Sequence, residues 1–306
     1  MKSANSVLDA ALTAVAPAIW GSTYLVTTEL LPPDRPLLAA VVRALPAGLV
    51  LLAATRVLPR GIWWWRAVVL GLLNIGAFFC LLFVAAYHLP GGVAALMVSA
   101  QPMLVLLLSV LLLQTRISGR HLVSCVLGAA GVAMLVLRPD AGVDAIGVLS
   151  GLGGAACMAA GVVLTKRWGR PESASLLAFT GWQLTVGGLA VLPIAVLFEG
   201  VPGHVSGTNL AGFAYLSLVG ALLAYLIWFR GIERLPALAV SFLGFASPLA
   251  AAVLGYVVLG QGFSVLQAAG AGLIVVAVAL AQPRSPRLPP AESRPASSPS
   301  LPTPSS

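Results

Sequence analysis

What this chain has least of is charge. Nine acidic and seventeen basic side chains amount to 8% of its 306 residues, against 59% hydrophobic, and mean hydropathy is +1.00. A water-soluble domain carries roughly 25% charged residues, so a chain bathed in water on all sides is excluded and the bilayer becomes the solvent. Acid is the scarcer sign. All nine carboxylates, including Asp9, Glu29, Glu199 and Glu233, fall at the ends of apolar runs or in loops, and none stands out as a deep proton carrier.

Other absences narrow the chemistry. No GxxxxGK[ST] stretch occurs, so the chain supplies no recognisable ATPase. Cys80, Cys125 and Cys157 each lie inside an apolar run with no CxxC spacing and no neighbouring histidine; they read as small hydrophobes, not ligands or disulfides. His88, His121 and His204 are scattered, so neither a metal nor a cofactor is called for. The formal charge of +8 does not point to nucleic acid, because the basic residues sit singly or in pairs between apolar runs and form no continuous face.

What is present is apolar runs of membrane length. About twenty such residues cross the hydrocarbon core as a helix, which satisfies its own backbone. Charge, proline and glycine clusters divide the chain into ten candidate spans: 10–31, 37–58, 64–88, 91–114, 120–137, 145–166, 174–198, 209–230, 237–259 and 264–281. The run after Met1-Lys2 is too long for a signal-peptide core and is read as a retained first span. With the N-terminus in the cytoplasm, fourteen Lys and Arg lie inside, Arg35 and Arg138 outside, and Arg43 within a span. The positive-inside rule then predicts that both termini are cytoplasmic. After Gln282 the composition changes, with eight prolines in the last 25 residues, and residues 282–306 read as a disordered tail.

The chain is written twice. At a constant offset of 146 residues, Leu89, Pro90, Ala100, Pro102, Leu108, Leu113 and Ser118 meet identical residues at Leu235, Pro236, Ala246, Pro248, Leu254, Leu259 and Ser264. Five spans per copy is an odd number, so the second copy enters the membrane from the opposite side. The expected fold is an all-α integral membrane protein of ten helices in two inverted five-helix repeats, 10–138 and 145–281, behind a short cytoplasmic segment 1–9. Inverted repeats recur in secondary transporters, whose solute site lies near the midplane between the halves.

Particular residues carry the resemblance to a known family. Leu82-Phe83-Val84-Ala85-Ala86-Tyr87-His88-Leu89-Pro90-Gly91-Gly92, the pair Gln101-Pro102, the stretch from Ala224 to Ala237, and Trp20-Gly21-Ser22 resemble EamA-type members of the drug/metabolite transporter superfamily. The resemblance spans about residues 10–281. It implies a ten-helix inner-membrane carrier with a central cavity, commonly exporting metabolites, amino acids or drugs. One departure is local: members often have an acidic residue after a glycine at the ends of the fourth and ninth spans, where this chain has Gln114-Thr115-Arg116 and Gly260-Gln261-Gly262.

Several polar and aromatic residues inside spans are candidate cavity groups. Arg43, roughly 10 Å below the outer end of its span, must face a partner or a wet cavity. It reads either as a clamp with Glu29 or as an anion-binding group. Matching Leu49 and Leu52 to Leu189 and Leu192 aligns Arg43 with Gln183; Gln183 and Asn74 read as interhelical glue or as cavity groups. Pro102 and Pro248, beside Gln101 and Ser247, each remove a backbone donor and mark a kink, hinge or cavity lining. Trp20, Tyr225 and Trp228 pack or present ring faces to an organic or cationic solute. Glu29 and His88 are the candidates for proton coupling. Trp63-Trp64-Trp65 with Arg66 reads as an interfacial anchor, and the stripe Gly147, Gly151, Ala155, Ala159 as close intramolecular packing.

The function that follows is a secondary transporter moving small organic solutes across a bacterial-type inner membrane by alternating access, its partners being the solute and the lipid, as monomer or homodimer. The competing class is an integral-membrane enzyme acting on a lipid or prenyl substrate, which calls for clustered acids, histidines or a metal at the interface.

Overall fold

A computed structural model describes residues 2–33, 35–89, 97–136, 144–200, 202–260 and 264–282. Pro90, Arg138, Gln261 and the proline-rich tail lie outside them. The regular structure of the described residues is all helical, with no strand. In chain order the helices are α1 (Lys2–Leu30), α2 (Pro36–Thr55), α3 (Trp63–Gly71), α4 (Ala77–His88), α5 (Gln101–Leu113), α6 (Gly119–Val136) and α7 (Ala145–Trp168). They continue as α8 (Leu176–Phe198), α9 (Gly207–Ser217), α10 (Ala224–Arg234), α11 (Ala237–Leu243), α12 (Ala246–Leu259) and α13 (Val265–Ala281).

Among the described residues, seven stretches are long and apolar enough to cross a membrane, and Gln101–Leu113, Gly119–Leu135 and Val265–Ala281 are shorter apolar helices. Perimeter side chains such as Phe198 and Val265, 82% and 88% exposed, suit contact with lipid tails. The first helix begins at Lys2 instead of near residue 10. Its extension is anchored by Asp9, whose carboxylate accepts from Arg230 at 2.7 Å and Arg234 at 3.4 Å.

Two sequence-expected continuous spans are interrupted by π-helical turns, Leu72–Gly76 between α3 and α4 and Leu218–Leu223 between α9 and α10. Their first residues are 146 apart, the duplication offset. Within them the ladder shifts: the Ala77 N–H takes Leu72 O, and the Ala224 N–H takes Val219 O and Ala221 O.

Near both prolines the helix is interrupted. Helix α5 starts at Gln101, with Pro102 in its first turn, and the ninth span is split into α11 and α12, with Pro248 in the first turn of the latter. The breaks precede the prolines because Pro248 has no N–H for Gly244 O. The Ser247 N–H takes that carbonyl instead at 3.0 Å, and Ala100 N–H takes Met97 O at 3.1 Å, tightening both junctions.

Close approach is built with glycine. A Cβ on Gly48 of α2 would lie 2.5 Å from the Thr185 nitrogen of α8, and Gly188 and Gly181 would meet Leu45 and Leu51 in turn. The order of these contacts makes α2 and α8 antiparallel. Helices α6 and α13 cross in the same sense, with Gly131 and Gly270 each facing the other's carbonyl. Helix α1 packs on α10 and α12 while α7 packs on α4 and α5, so each half lends its first helix to the other half's broken ones. The α7 stripe is internal: Gly147 faces Leu89 and His88, and Gly151 faces Met97.

The ends are tied by reciprocal capping. Glu199 at the end of α8 accepts the Leu37 and Leu38 N–H groups that open α2, at 2.7 and 2.8 Å, while Arg35 donates to the Glu199 and Gly200 carbonyls. Both satisfy helix-end groups otherwise left without partners. Trp64 and Trp65 are exposed as an anchor requires, but Trp63 turns inward against Phe179, ring centres 6.0 Å apart.

Candidate functional site

The π turn at Leu218–Leu223 is the origin of the site. In an α-helix the Ala224 N–H would take Gly220 O; its diversion releases that carbonyl. A carbonyl has two lone pairs, and Gly220 O receives two donors from the other half of the chain, Trp20 Nε1 at 3.1 Å and Arg43 Nη2 at 3.0 Å.

Arg43 is 6% exposed, and its guanidinium carbon stands 5.1 Å from the centre of the Phe79 ring. A desolvated cation over an aromatic face gains about 2 kcal/mol, which offsets part of the cost of burying it. Glu29, by contrast, is exposed near the end of α1. The Trp20 ring lies 5.0 Å from Tyr225 and 5.1 Å from Trp228. Both partners are 1% exposed, Trp20 is half-buried, and Tyr225 is within electrostatic reach of Arg43. The buried Trp228 Nε1–H has no acceptor among the described residues. The Ser22 hydroxyl donates to Ile19 O at 2.7 Å, so the Tyr215 hydroxyl 2.6 Å away is the donor to Ser22 Oγ.

The two broken helices meet this cluster. A Cβ on Gly21, next to Trp20, would lie 2.5 Å from Ser247 O, and one on Gly244 would lie 3.9 Å from Gln101 Oε1. Gln101 is 8% exposed, and its Nε2 has no partner among the described residues. Pro102 is buried and Pro248 half-buried beside them. Trp20, Arg43, Tyr225 and Trp228 thus form one neighbourhood, and Gly21 and Gly244 link it to Ser247 and Gln101.

Asn74 and Gln183 form another. Asn74, in the first π turn, donates through Nδ2 to Gln183 Oε1 at 2.8 Å and to Thr165 Oγ1 at 3.2 Å. Both amides are buried, which is the interhelical tie. Gly161 is the socket for this amide, since a Cβ there would lie 2.0 Å from Asn74 Oδ1. The pattern repeats the first: Arg43 and Gln183, aligned in sequence, each grip the π turn of the opposite half, helped by a side chain from α1 or α7.

His88 belongs to neither neighbourhood. Its Nδ1 lies 3.2 Å from Asp144 Oδ1, with side chains 41% and 46% exposed, and Asp144 also caps α7 through the Gly147 N–H at 2.9 Å. Sequence reasoning missed Gly220, Phe79, Thr165 and Gly161. Gly220 and Phe79 carried a signal, their 146-residue offsets from Asn74 and Tyr225.

A helical body with seven apolar stretches of membrane length among its described residues, together with a buried arginine and interrupted helices, is a multi-pass membrane protein. The profile of the EamA-like transporter family matches residues 9–137 and again 145–281, and the chain belongs to that family of membrane transporters. It is 49% identical over 267 residues to protein PecM of Dickeya dadantii, spanning 87% of this chain and 90% of that one. An inner membrane transporter, YedA of Escherichia coli, is 30% identical over 86% of each. A WAT1-related chloroplast protein of Arabidopsis thaliana is also 30% identical, over 85% of this chain and 66% of its own length. A solved crystal structure, 22% identical, shares the fold with a TM-score of 0.74 over 89% of this chain and 96% of its own.

Proposed function

We propose that the chain is a secondary transporter exporting small organic solutes across a bacterial-type inner membrane by alternating access. In this reading it has ten spans in two inverted repeats, 10–138 and 145–281, with both termini and the 282–306 tail in the cytoplasm. The antiparallel crossings of α2 with α8 and of α6 with α13, helices holding equivalent places in the two copies, support the inversion. The three shorter apolar helices, α5, α6 and α13, complete the count of ten.

The observation that carries the reading is Arg43, buried near the Trp20, Tyr225 and Trp228 cluster against the widened turn of the opposite half. A charged side chain at that depth is costly and belongs to a pathway, and unwound backbone next to it is what a carrier needs in order to rearrange around a solute. Arg43, Trp20, Tyr225, Trp228, Gln101 and Ser247 bind the solute; Pro102 and Pro248 set the bends; Asn74 and Gln183 hold the halves in register.

Reconstituted vesicles test this. Arg43→Ala should insert and purify like the parent while losing most solute flux. Undiminished flux of the authentic solute would remove Arg43 from the site.

A further inference from the structure

We propose that the solute is an anion: a flat apolar body bearing one carboxylate-type acceptor group and no ammonium. This rests on the transport reading and names the substrate class of its site. Three of the polar side chains at the aromatic cluster can only donate. A guanidinium and an indole N–H cannot accept, so Arg43, Trp20 and Trp228 offer hydrogens only. Gly220 O, the main-chain acceptor released by the π turn, already takes two of them.

Trp228 Nε1 is the second, independent sign. Its side chain is 1% exposed, and its N–H lacks an acceptor among the described residues. A buried donor left in that state is unfavourable until an acceptor arrives. Arg43 is the buried charged side chain, and no Asp or Glu is buried among the described residues. Bare ring faces would attract a cation, but Arg43 changes the sign of the site. A second positive charge at contact distance is disfavoured on the order of a thousand-fold at the effective dielectric of such sites. An anion meets the guanidinium in a charge-assisted bond, while the rings of Trp20, Tyr225 and Trp228 cover its apolar body. Trp20, the half-buried ring, is the one placed to move aside.

Three probes with one skeleton separate the possibilities: 3-phenylpropionate, 3-phenylpropanamide and 3-phenylpropan-1-amine, titrated into the detergent-purified full chain and followed by calorimetry and tryptophan fluorescence. The propionate should bind at least about ten-fold tighter than the other two, the margin a charged hydrogen bond supplies. Arg43→Gln should erase that margin and leave the amide's affinity in place, whereas Arg43→Lys should keep the ranking. Trp228→Phe, which retains a ring and removes the N–H, should weaken the propionate about ten-fold. Circular dichroism and a monodisperse elution profile establish that each variant is folded. An amine that binds as tightly as the propionate, a ranking untouched by Arg43→Gln, or no binding by any probe overturns the proposal. Anion-selective binding with no flux in vesicles sinks the transport reading and leaves this inference standing; flux of a cationic solute does the reverse.

Discussion

Asn74 and Gly220 stand 146 residues apart and hold the same place in two π-helical turns, each gripped by side chains from the opposite half of the chain. One turn presents a side-chain amide and meets the neutral Gln183; the other presents a bare carbonyl and meets the charged Arg43. A duplicated scaffold has therefore produced two nodes of different chemistry. π turns concentrate at functional sites because the widened ladder frees backbone groups for outside partners, and Gly220 O is such a group.

Two glycines beside these nodes should respond oppositely to the same change. Gly161→Ala drives a methyl into Asn74 Oδ1 and displaces an amide holding two hydrogen bonds, costing about 1–3 kcal/mol. At Gly220 the nearest atom to an added Cβ is Arg43 Nε at 3.7 Å, an ordinary contact, so Gly220→Ala should change stability by less than about 1 kcal/mol. Thermal unfolding in detergent compares them.

Asn74 and Gln183 are coupled directly, so their truncations should not add. A double-mutant cycle of Asn74→Ala and Gln183→Ala should return an interaction of about 1 kcal/mol, the range for amide pairs between membrane helices. Additive losses would show that the 2.8 Å contact contributes nothing.

Replacing either proline restores an N–H at a junction that now closes with short-range bonds. Pro248→Ala can bond Gly244 O and bridge α11 to α12, and Pro102→Ala can do the same at the start of α5. Both variants should fold, and initial rates in vesicles should show kcat and KM changing together, as hinge changes do. Unaltered kinetics for both would end the hinge assignment.

Asp144 does two jobs that substitution can separate. Asp144→Ala loses the cap of α7 and should cost about 1 kcal/mol. Asp144→Asn keeps an oxygen for the Gly147 N–H and gives up an exposed pair with His88 worth at most about 1 kcal/mol. His88→Gln should leave flux unchanged under a pH gradient, because His88 is engaged at the surface and not in the buried cluster. Lost stimulation by the gradient would return His88 to a coupling role.

Much of the fold was legible because lipid makes strict demands. Hydropathy marked where helices run, and the repeated Leu-Pro stretch placed both junctions within a few residues. It did not distinguish a kink from a break, since Pro102 and Pro248 fit either until the bonds around Ser99–Ala100 and Gly244–Phe245 are known. The π turns were silent, because Leu72–Gly76 and Leu218–Leu223 have ordinary apolar composition.

The candidate site was legible where a residue is costly in hydrocarbon. Arg43, Asn74, Gln101 and Gln183 are conspicuous for that reason, and Trp20, Tyr225 and Trp228 for their size. Their grouping was not: the sequence offered Arg43 to Glu29 or to an anion, and the structure adds Gly220 O and Phe79 as its neighbours. No residue type announces a main-chain carbonyl as a partner.

By itself, then, the sequence determined a membrane protein, its duplication and the polar residues that must find partners, because transfer free energy and repetition are properties of the string. Only the tertiary structure decided which partners those are. A released carbonyl exists only after a helix has widened, and a donor from another span reaches it only after glycines have let the backbones close.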